Sequence, residues 1–138
     1  MELSVKGNRK IKLTMSEIRT LLVGLSNEFP DYTFNTLDIS FVNDSVIEGV
    51  NHKFLQHIGP TDIITFDYSD EEKIISGEFV IGYEEAQRNA EKFLVSLREE
   101  LFRLIIHGVL HLVGFDDVTP ELKRKMKSVE NKLVKKFA

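Results

Sequence analysis

The chain has 138 residues, of which 42% are hydrophobic and 29% charged, and its formal net charge is −4. These values are ordinary for a globular domain and exclude collagen-like and intrinsically disordered chains. No apolar stretch approaches the ~20 residues that a membrane-spanning helix requires. There is no cysteine, which excludes a disulfide partner, a thiolate metal site and a cysteine nucleophile. A chain of this length without an obvious break is expected to form a single domain over residues 1–138. Its first residues lack the apolar segment of a signal peptide, so we expect it to reside in the cytoplasm.

Apolar periodicity, helix caps and turn residues predict an α+β fold, in which helices pack on a small mixed β-sheet. In chain order, the predicted elements begin with a strand or loose hairpin in residues 2–13, a helix that Ser16 caps and Pro30 ends, and a strand in residues 34–42. A helix that Asn43 caps and that reaches Phe54 follows, and then strands in residues 62–66 and 74–81. The chain ends in three predicted helices: residues 83–93, residues 96–113 with Ser96 as cap, and residues 119–137, which Thr119 and Pro120 open.

The charges are distributed unevenly along the chain. Residues 103–138 contain eight basic and four acidic side chains, whereas residues 67–91 contain eight acidic and two basic ones. A basic end can present a positive face to phosphates even in an acidic protein. The alternative is that residues 123–136 form only the solvated side of an amphipathic helix.

A pair of histidines in the most apolar predicted helix indicates a metal site. His107 and His111 are four positions apart, so their imidazoles stand about 6 Å apart along the helix axis and can reach one ion. Gly114 is expected to end the helix in a left-handed conformation, which lets the chain reverse and bring Asp116 or Asp117 to the same ion. Three protein ligands and one open position are typical of a catalytic metal site.

Two alternatives bear on this interpretation. The histidines can instead be core residues that hydrogen-bond to backbone or carboxylate groups, because an unpaired imidazole is costly to bury. The metalloprotease motif places a glutamate directly after the first histidine as general base. Here that position is Gly108, which disfavours a protease of that design and leaves another metal hydrolase as a further possibility.

Three segments resemble the YbeY family of metal-dependent endoribonucleases and ribosomal RNA maturation factors. Residues 107–117 match ten of the eleven positions of the family signature H-G-x-L-H-L-x-G-[YF]-D-H. Residues 61–66 match T-D-[VI]-[LI]-[ST]-F, and residues 77–81 match G-[DE]-[IF]-x-I. The order and spacing of these three segments agree with the family pattern across roughly residues 35–120.

The resemblance implies an α+β fold with a zincin-like site on a central helix, where three histidines bind Zn²⁺ or another divalent ion. It also implies a role in maturation of the 3′ end of 16S ribosomal RNA and in ribosome quality control. His107 and His111 then correspond to the first two ligands, and Asp117 stands where the family has its third histidine. Aspartate is an acceptable zinc ligand, although its negative charge should make the ion a weaker Lewis acid.

Two further positions depart from the family pattern. Leu55 stands where the family has an arginine that is thought to contact phosphate, and His57 aligns with a family lysine. We hypothesise that His57 lies at the cleft and acts catalytically, in proton transfer or phosphate binding. The alternative is an exposed loop histidine.

Arg103 lies one turn before the first histidine of the pair. It is a second candidate catalytic residue, because an arginine there can meet a substrate phosphate. Alternatively it forms an ion pair with Glu99 or Glu100 on the same helix.

Two functions from different classes are consistent with these observations. One is a metal-dependent endoribonuclease specific for single-stranded RNA, with ribosomal RNA in the small ribosomal subunit as its partner. The other is a non-catalytic assembly factor in which the metal is structural and the protein binds ribosomal RNA or a ribosomal protein. The net negative charge and Leu55 favour the second function.

Overall fold

A computed structural model describes residues 1–57, 59 and 61–138. Its elements in chain order are β1 (Glu2–Lys6), a 3-10 helix (Asn8–Ile11), α1 (Met15–Glu28), β2 (Thr33–Val42), α2 (Asp44–Leu55), β3 (Ile63–Asp67), β4 (Ile74–Gly82), α3 (Tyr83–Phe93), α4 (Leu97–Leu112) and α5 (Pro120–Phe137). The predicted α+β class and the predicted order of strands and helices are confirmed.

The four strands form one mixed sheet in the order β1-β2-β4-β3. The pairs β1–β2 and β2–β4 are parallel, and β3 runs antiparallel to β4. Parallel neighbours require a crossover connection, which α1 supplies between β1 and β2. The antiparallel pair needs only the turn between β3 and β4.

The N-terminal segment takes the first of its two predicted forms, a single strand, and not the loose hairpin. After β1 the chain forms the 3-10 helix Asn8–Ile11 instead of a second strand. Gly7 has φ 79°, and a Cβ on it would lie 2.2 Å from the carbonyl oxygen of Phe41. The chain therefore turns away from the sheet at a position where only glycine fits.

The first helix begins earlier than predicted, because Thr14 rather than Ser16 caps it. The Thr14 hydroxyl accepts a hydrogen bond from the Glu17 N–H at 3.1 Å, and the Glu17 carboxylate accepts one from the Thr14 N–H at 3.3 Å. This reciprocal pair satisfies two free donors at once, which Ser16 cannot do from inside the helix. The predicted caps at Asn43 and Ser96 are confirmed, and Thr119, at the predicted start of the last helix, caps α5.

The central helix α4 lies in the main core, between the sheet and the outer helices. Leu101, Ile105 and Val109 are fully buried along it. Gly108 lets the helix approach β4 closely, since a Cβ there would lie 2.7 Å from the ring of Phe79. The position that carries the general base in metalloproteases therefore faces the sheet, and the histidines lie on another side of the helix.

A smaller cluster of buried side chains, Ile47, Ile64 and Val80, lies under α2.

In the part of the chain that the structure describes, no helix combines the length and apolar character that crossing a membrane requires.

Candidate metal centre

His107 and His111 lie one above the other on α4, as their spacing predicts. Their ring centroids are 4.7 Å apart and the rings are nearly perpendicular, at 80°. The two Nε2 atoms face each other at 3.1 Å. Two nitrogen ligands of one tetrahedral ion would be separated by about 3.3 Å, given the usual Zn–N bond lengths. The pair is therefore already spaced for a shared ion.

The turn after α4 brings Asp117 back to the histidines. Gly114 has φ 100°, the left-handed conformation expected at a helix end. The carboxylate of Asp117 then lies 3.8 Å from Nε2 of His111. One ligand atom from each of His107, His111 and Asp117 lies within 4.8 Å of the other two.

The carboxylate of Asp116 makes different contacts from that of Asp117. The Asp116 carboxylate accepts a hydrogen bond from the Val118 N–H at 2.7 Å and so holds the loop. Tyr32 supports the same turn, because its hydroxyl donates to the carbonyl of Val113 at 3.0 Å. Asp117 is left as the carboxylate that faces the histidines.

A divalent cation fits this donor set. Burial lowers the pKa of His111, and the neighbouring His107 lowers it further, whereas Asp117 acts to raise it. A neutral imidazole is the form that ligates metal. Nitrogen and carboxylate oxygen donors suit zinc and several other divalent ions.

Glu130 of α5 completes the centre, and sequence reasoning missed it. Its side chain is only 4% exposed, and Oε1 accepts a hydrogen bond from Nδ1 of His107 at 2.7 Å. Oε2 accepts from Arg103 at 2.7 Å and from Lys127 at 2.9 Å. Burial alone would raise the pKa of Glu130, but these three hydrogen bonds outweigh it and lower the pKa to about 2.

A carboxylate on Nδ1 makes that nitrogen the donor and leaves the lone pair of His107 on Nε2, which faces His111. One signal for Glu130 was present in the sequence. It follows Met126 by four positions on the apolar stripe of an amphipathic helix, where both residues are buried. A carboxylate at a core position of a lysine-rich helix requires a buried partner.

The ion pair predicted for Arg103 involves a different residue. It binds Glu130 and the side-chain oxygen of Asn131, the latter at 2.8 Å, instead of Glu99 or Glu100. Glu99 and Glu100 lie one helical turn away and are within reach, but the Arg103 side chain points across to α5, where the buried Glu130 accepts its hydrogen bond.

An open groove of about 900 Å³ begins at the candidate metal centre. It runs between α4 and α5 and is bounded on its other side by α3 and the start of β3. Asp62 lies in it and accepts a hydrogen bond from Asn89 at 3.3 Å. Burial raises the pKa of Asp62, and backbone hydrogen bonds, followed by the positive charge of His107 when its ring is protonated, oppose that rise. Three cations of α5 also line the groove: Lys123, Arg124 and Lys127.

His57 is exposed in the loop after α2. Within the described part of the chain it is not one of the residues that line the groove, so its catalytic role stays a prediction. Asn51 ties this loop to α2, since its side-chain amide donates to the carbonyl of Gly59 at 3.1 Å. Leu55, in the position of the family arginine, is exposed at the end of α2.

Fold and site together define an α+β protein whose central helix carries two histidines and whose following turn returns a carboxylate to them. A family model described as endoribonuclease YbeY matches residues 5–138. The chain belongs to this family, as its motifs predicted, and its relatives are named as nucleases.

Relatives and a solved structure agree with this assignment. The endoribonuclease YbeY of Parabacteroides distasonis is 45% identical over 103 residues, which cover 73% of this chain and 72% of the relative. That of Chlorobium phaeovibrioides is 36% identical over 100 residues, which cover 72% and 67%. A solution structure of a Thermotoga maritima protein has the same fold, with a TM-score of 0.62 at 23% identity over 95% of this chain and 88% of that one.

Proposed function

We propose that this chain is a metal-dependent endoribonuclease that cuts single-stranded RNA. The observation that carries the proposal is the convergence of His107, His111 and Asp117 at one end of an open groove. The metal we propose is zinc, one ion per chain, because the donors are two imidazoles and a carboxylate. When bound, such an ion supplies Lewis-acid chemistry that polarises a phosphoryl oxygen and lowers the pKa of water.

The protein's own residues have three tasks in this proposal. His107, His111 and Asp117 hold the ion, and Glu130 keeps His107 in the tautomer whose Nε2 can ligate. Lys123 and Arg124 line the groove and bind the phosphates of the strand next to the scissile one. Backbone binding of this kind is electrostatic, so affinity for RNA should fall steeply as salt rises.

We infer that the substrate is the 3′ end of 16S ribosomal RNA, in the cytoplasm and on the small ribosomal subunit, and that the activity serves ribosome quality control. Membership of the YbeY family supports this inference. An open groove also suits a single strand, whose bases are free to be splayed out and bound individually.

The experiment incubates metal-loaded protein with a single-stranded fragment of the 16S 3′ end. His111→Ala removes one ligand and should abolish cleavage. Asp117→His restores the family's third histidine and should keep or increase it. Equal cleavage by the wild type and His111→Ala would indicate a contaminating nuclease and overturn the proposal.

A specific observation favours the second function, a non-catalytic assembly factor. Arg103 and Lys127 both pair with Glu130, whose single negative charge offsets part of theirs, and Leu55 stands where the family has a further cation. In that case neither the wild type nor His111→Ala cuts the fragment, while the wild type still binds it in a gel-shift assay. The same two proteins thus separate the two functions.

A further inference from the structure

Glu100 of α4 is a buried acid that has no role in the proposed nuclease function. It is 4% exposed and is one of the residues that line the groove. No described residue donates a hydrogen bond to it or forms an ion pair with it, in contrast to Glu130. Burial raises the pKa of Glu100, partly opposed by the charge of Arg103. Among the described residues, no fully enclosed side-chain oxygen lacks a hydrogen-bond partner, so the unpaired oxygens of Glu100 must be open to the groove. Hydrogen-bond donors of a ligand can therefore reach them.

The groove around Glu100 has apolar walls. Leu104 and Met126 are buried beside it, and Phe93 lines the groove while remaining 61% exposed. The next residue, Leu94, is 91% exposed and has φ 57°, an unfavourable conformation for a leucine. An exposed aromatic ring at the edge of an apolar slot is the arrangement that proteins use to stack an unpaired base.

The distance from the metal centre suits one nucleotide. Glu100 and His107 are seven residues apart on the groove side of α4, which is about 10 Å along the helix axis. That distance is comparable to the span from a nucleotide's phosphate to the far edge of its purine. A phosphate at the histidines therefore brings the base of the same nucleotide to Glu100.

We propose that Glu100 and Phe93 form a subsite for an unpaired guanine of the RNA substrate. The Glu100 carboxylate accepts hydrogen bonds from N1–H and the N2 amino group of the base, and Phe93 stacks on its face. This inference rests on the proposed nuclease function, because it names the base that lies next to the cleavage site.

Hydrogen-bond chemistry selects guanine among the four bases. Only guanine offers two adjacent donors on its Watson–Crick edge, which a carboxylate can accept together. Adenine and cytosine place an acceptor beside their amino group, and uracil flanks its single N–H with two acceptors. In each of these three bases, an acceptor atom would face the carboxylate, and two acceptors repel each other.

A second cation is a weaker candidate for this place. Among the described residues, the group with ligand atoms close enough to hold a metal is His107, His111 and Asp117. The positive charges of Arg103 and Lys127 also lower the pKa of Glu100, so they already stabilise its ionised form in part.

The test measures binding of guanosine 5′-monophosphate and inosine 5′-monophosphate to the full-length, metal-loaded protein by NMR titration. Inosine lacks only the N2 amino group, and neither nucleotide has an internal phosphodiester that can be cut. The wild type should bind the guanosine nucleotide about tenfold more tightly, the loss expected for one hydrogen bond to a charged group. Glu100→Gln should bring that ratio close to one.

Two further variants separate specificity from general effects. Glu99→Gln removes the same charge from the same groove and should leave the guanosine-to-inosine ratio unchanged. Phe93→Ala should lower the affinity for both nucleotides about tenfold, because stacking is lost, and should leave the guanosine-to-inosine affinity ratio unchanged.

Equal affinities of the wild type for the two nucleotides would overturn the inference, and this comparison needs no variant that might misfold. A ratio that survives in Glu100→Gln, or a second bound ion that Glu100→Gln loses, would overturn it as well. Cleavage of RNA with no guanine preference would refute only this subsite. A guanine preference without cleavage would support the subsite and refute the proposed function.

Discussion

Glu130 accepts a hydrogen bond from Nδ1 of His107 at 2.7 Å, although the two residues belong to different helices and are 23 positions apart. The last helix of the chain therefore orients the first candidate ligand on the central helix. Its carboxylate also forms ion pairs with Arg103 and Lys127. One buried acid thus contacts the candidate ligand His107, two cations that line the groove, and both helices α4 and α5.

Glu130→Gln should weaken metal binding by about 10- to 100-fold, because the ligand would lose the carboxylate that fixes its tautomer and orientation. Competition with a fluorescent chelator measures this change. Glu121→Gln is the matched control, since it alters an exposed carboxylate of the same helix outside the groove. Unchanged affinity in Glu130→Gln would show that the contact does not position His107.

Acid should destabilise the fold through Glu130. Folding lowers the pKa of this group from 4.5 to about 2, so the folded state holds its proton more weakly than the unfolded state. The resulting stabilisation, about 3 kcal/mol, is present above the unfolded pKa and is lost as the pH falls toward the folded one. Urea unfolding of the chelated protein at a series of pH values should show this loss, and Glu130→Gln should lack it.

Glu100 should behave in the opposite sense. Burial raises its pKa on folding, so the folded state holds its proton more tightly and is destabilised as the pH rises through the folded pKa. Glu100→Gln should therefore stabilise the chain by about 1 kcal/mol at neutral pH, the scale of burying a polar group without a partner. The gain should vanish in acid below the unfolded pKa. A destabilised variant at neutral pH would mean that the carboxylate has a partner in solution.

Metal removal should lower thermal stability. An ion held at a hundredfold above its Kd stabilises the folded state by about 2.7 kcal/mol, which corresponds to about 10 °C in Tm for a chain of this size. Differential scanning calorimetry with and without chelator measures the shift. His111→Ala should show no such shift, and an unchanged wild-type Tm after confirmed metal removal would count against an intrinsic metal.

Gly108 should tolerate no side chain. A Cβ there would lie 2.7 Å from the Phe79 ring, so Gly108→Ala should destabilise the chain by about 1–3 kcal/mol through overpacking. Gly49→Ala provides the contrast, because its Cβ position on α2 has no described atom within 4 Å apart from its chain neighbours and the backbone of its own helix. That variant should be more stable by about 0.5–1 kcal/mol, since alanine has the higher helix propensity. Chemical denaturation distinguishes the two.

Local features of the sequence determined much of this protein. The caps at Asn43, Ser96 and Thr119, the alternation of β2 and the left-handed Gly114 depend on interactions within a few residues, so pattern alone predicts them. The two histidines share a face of α4 for the same reason. Thr14 was missed because the capping residue lies just before the apolar stripe that marked the helix, and the cap is chosen by hydrogen bonds rather than by that stripe.

Tertiary structure decided the rest, because contacts between helices depend on how their faces pack and not on spacing along one helix. Arg103 has carboxylates within reach on its own helix, yet its partner is Glu130 on α5. Asp117 rather than Asp116 faces the histidines because the loop uses the other carboxylate to hold its own backbone. Nothing in the sequence distinguishes Glu100 from an ordinary surface acid. Its burial at the groove depends on how α3, α4 and α5 pack around it.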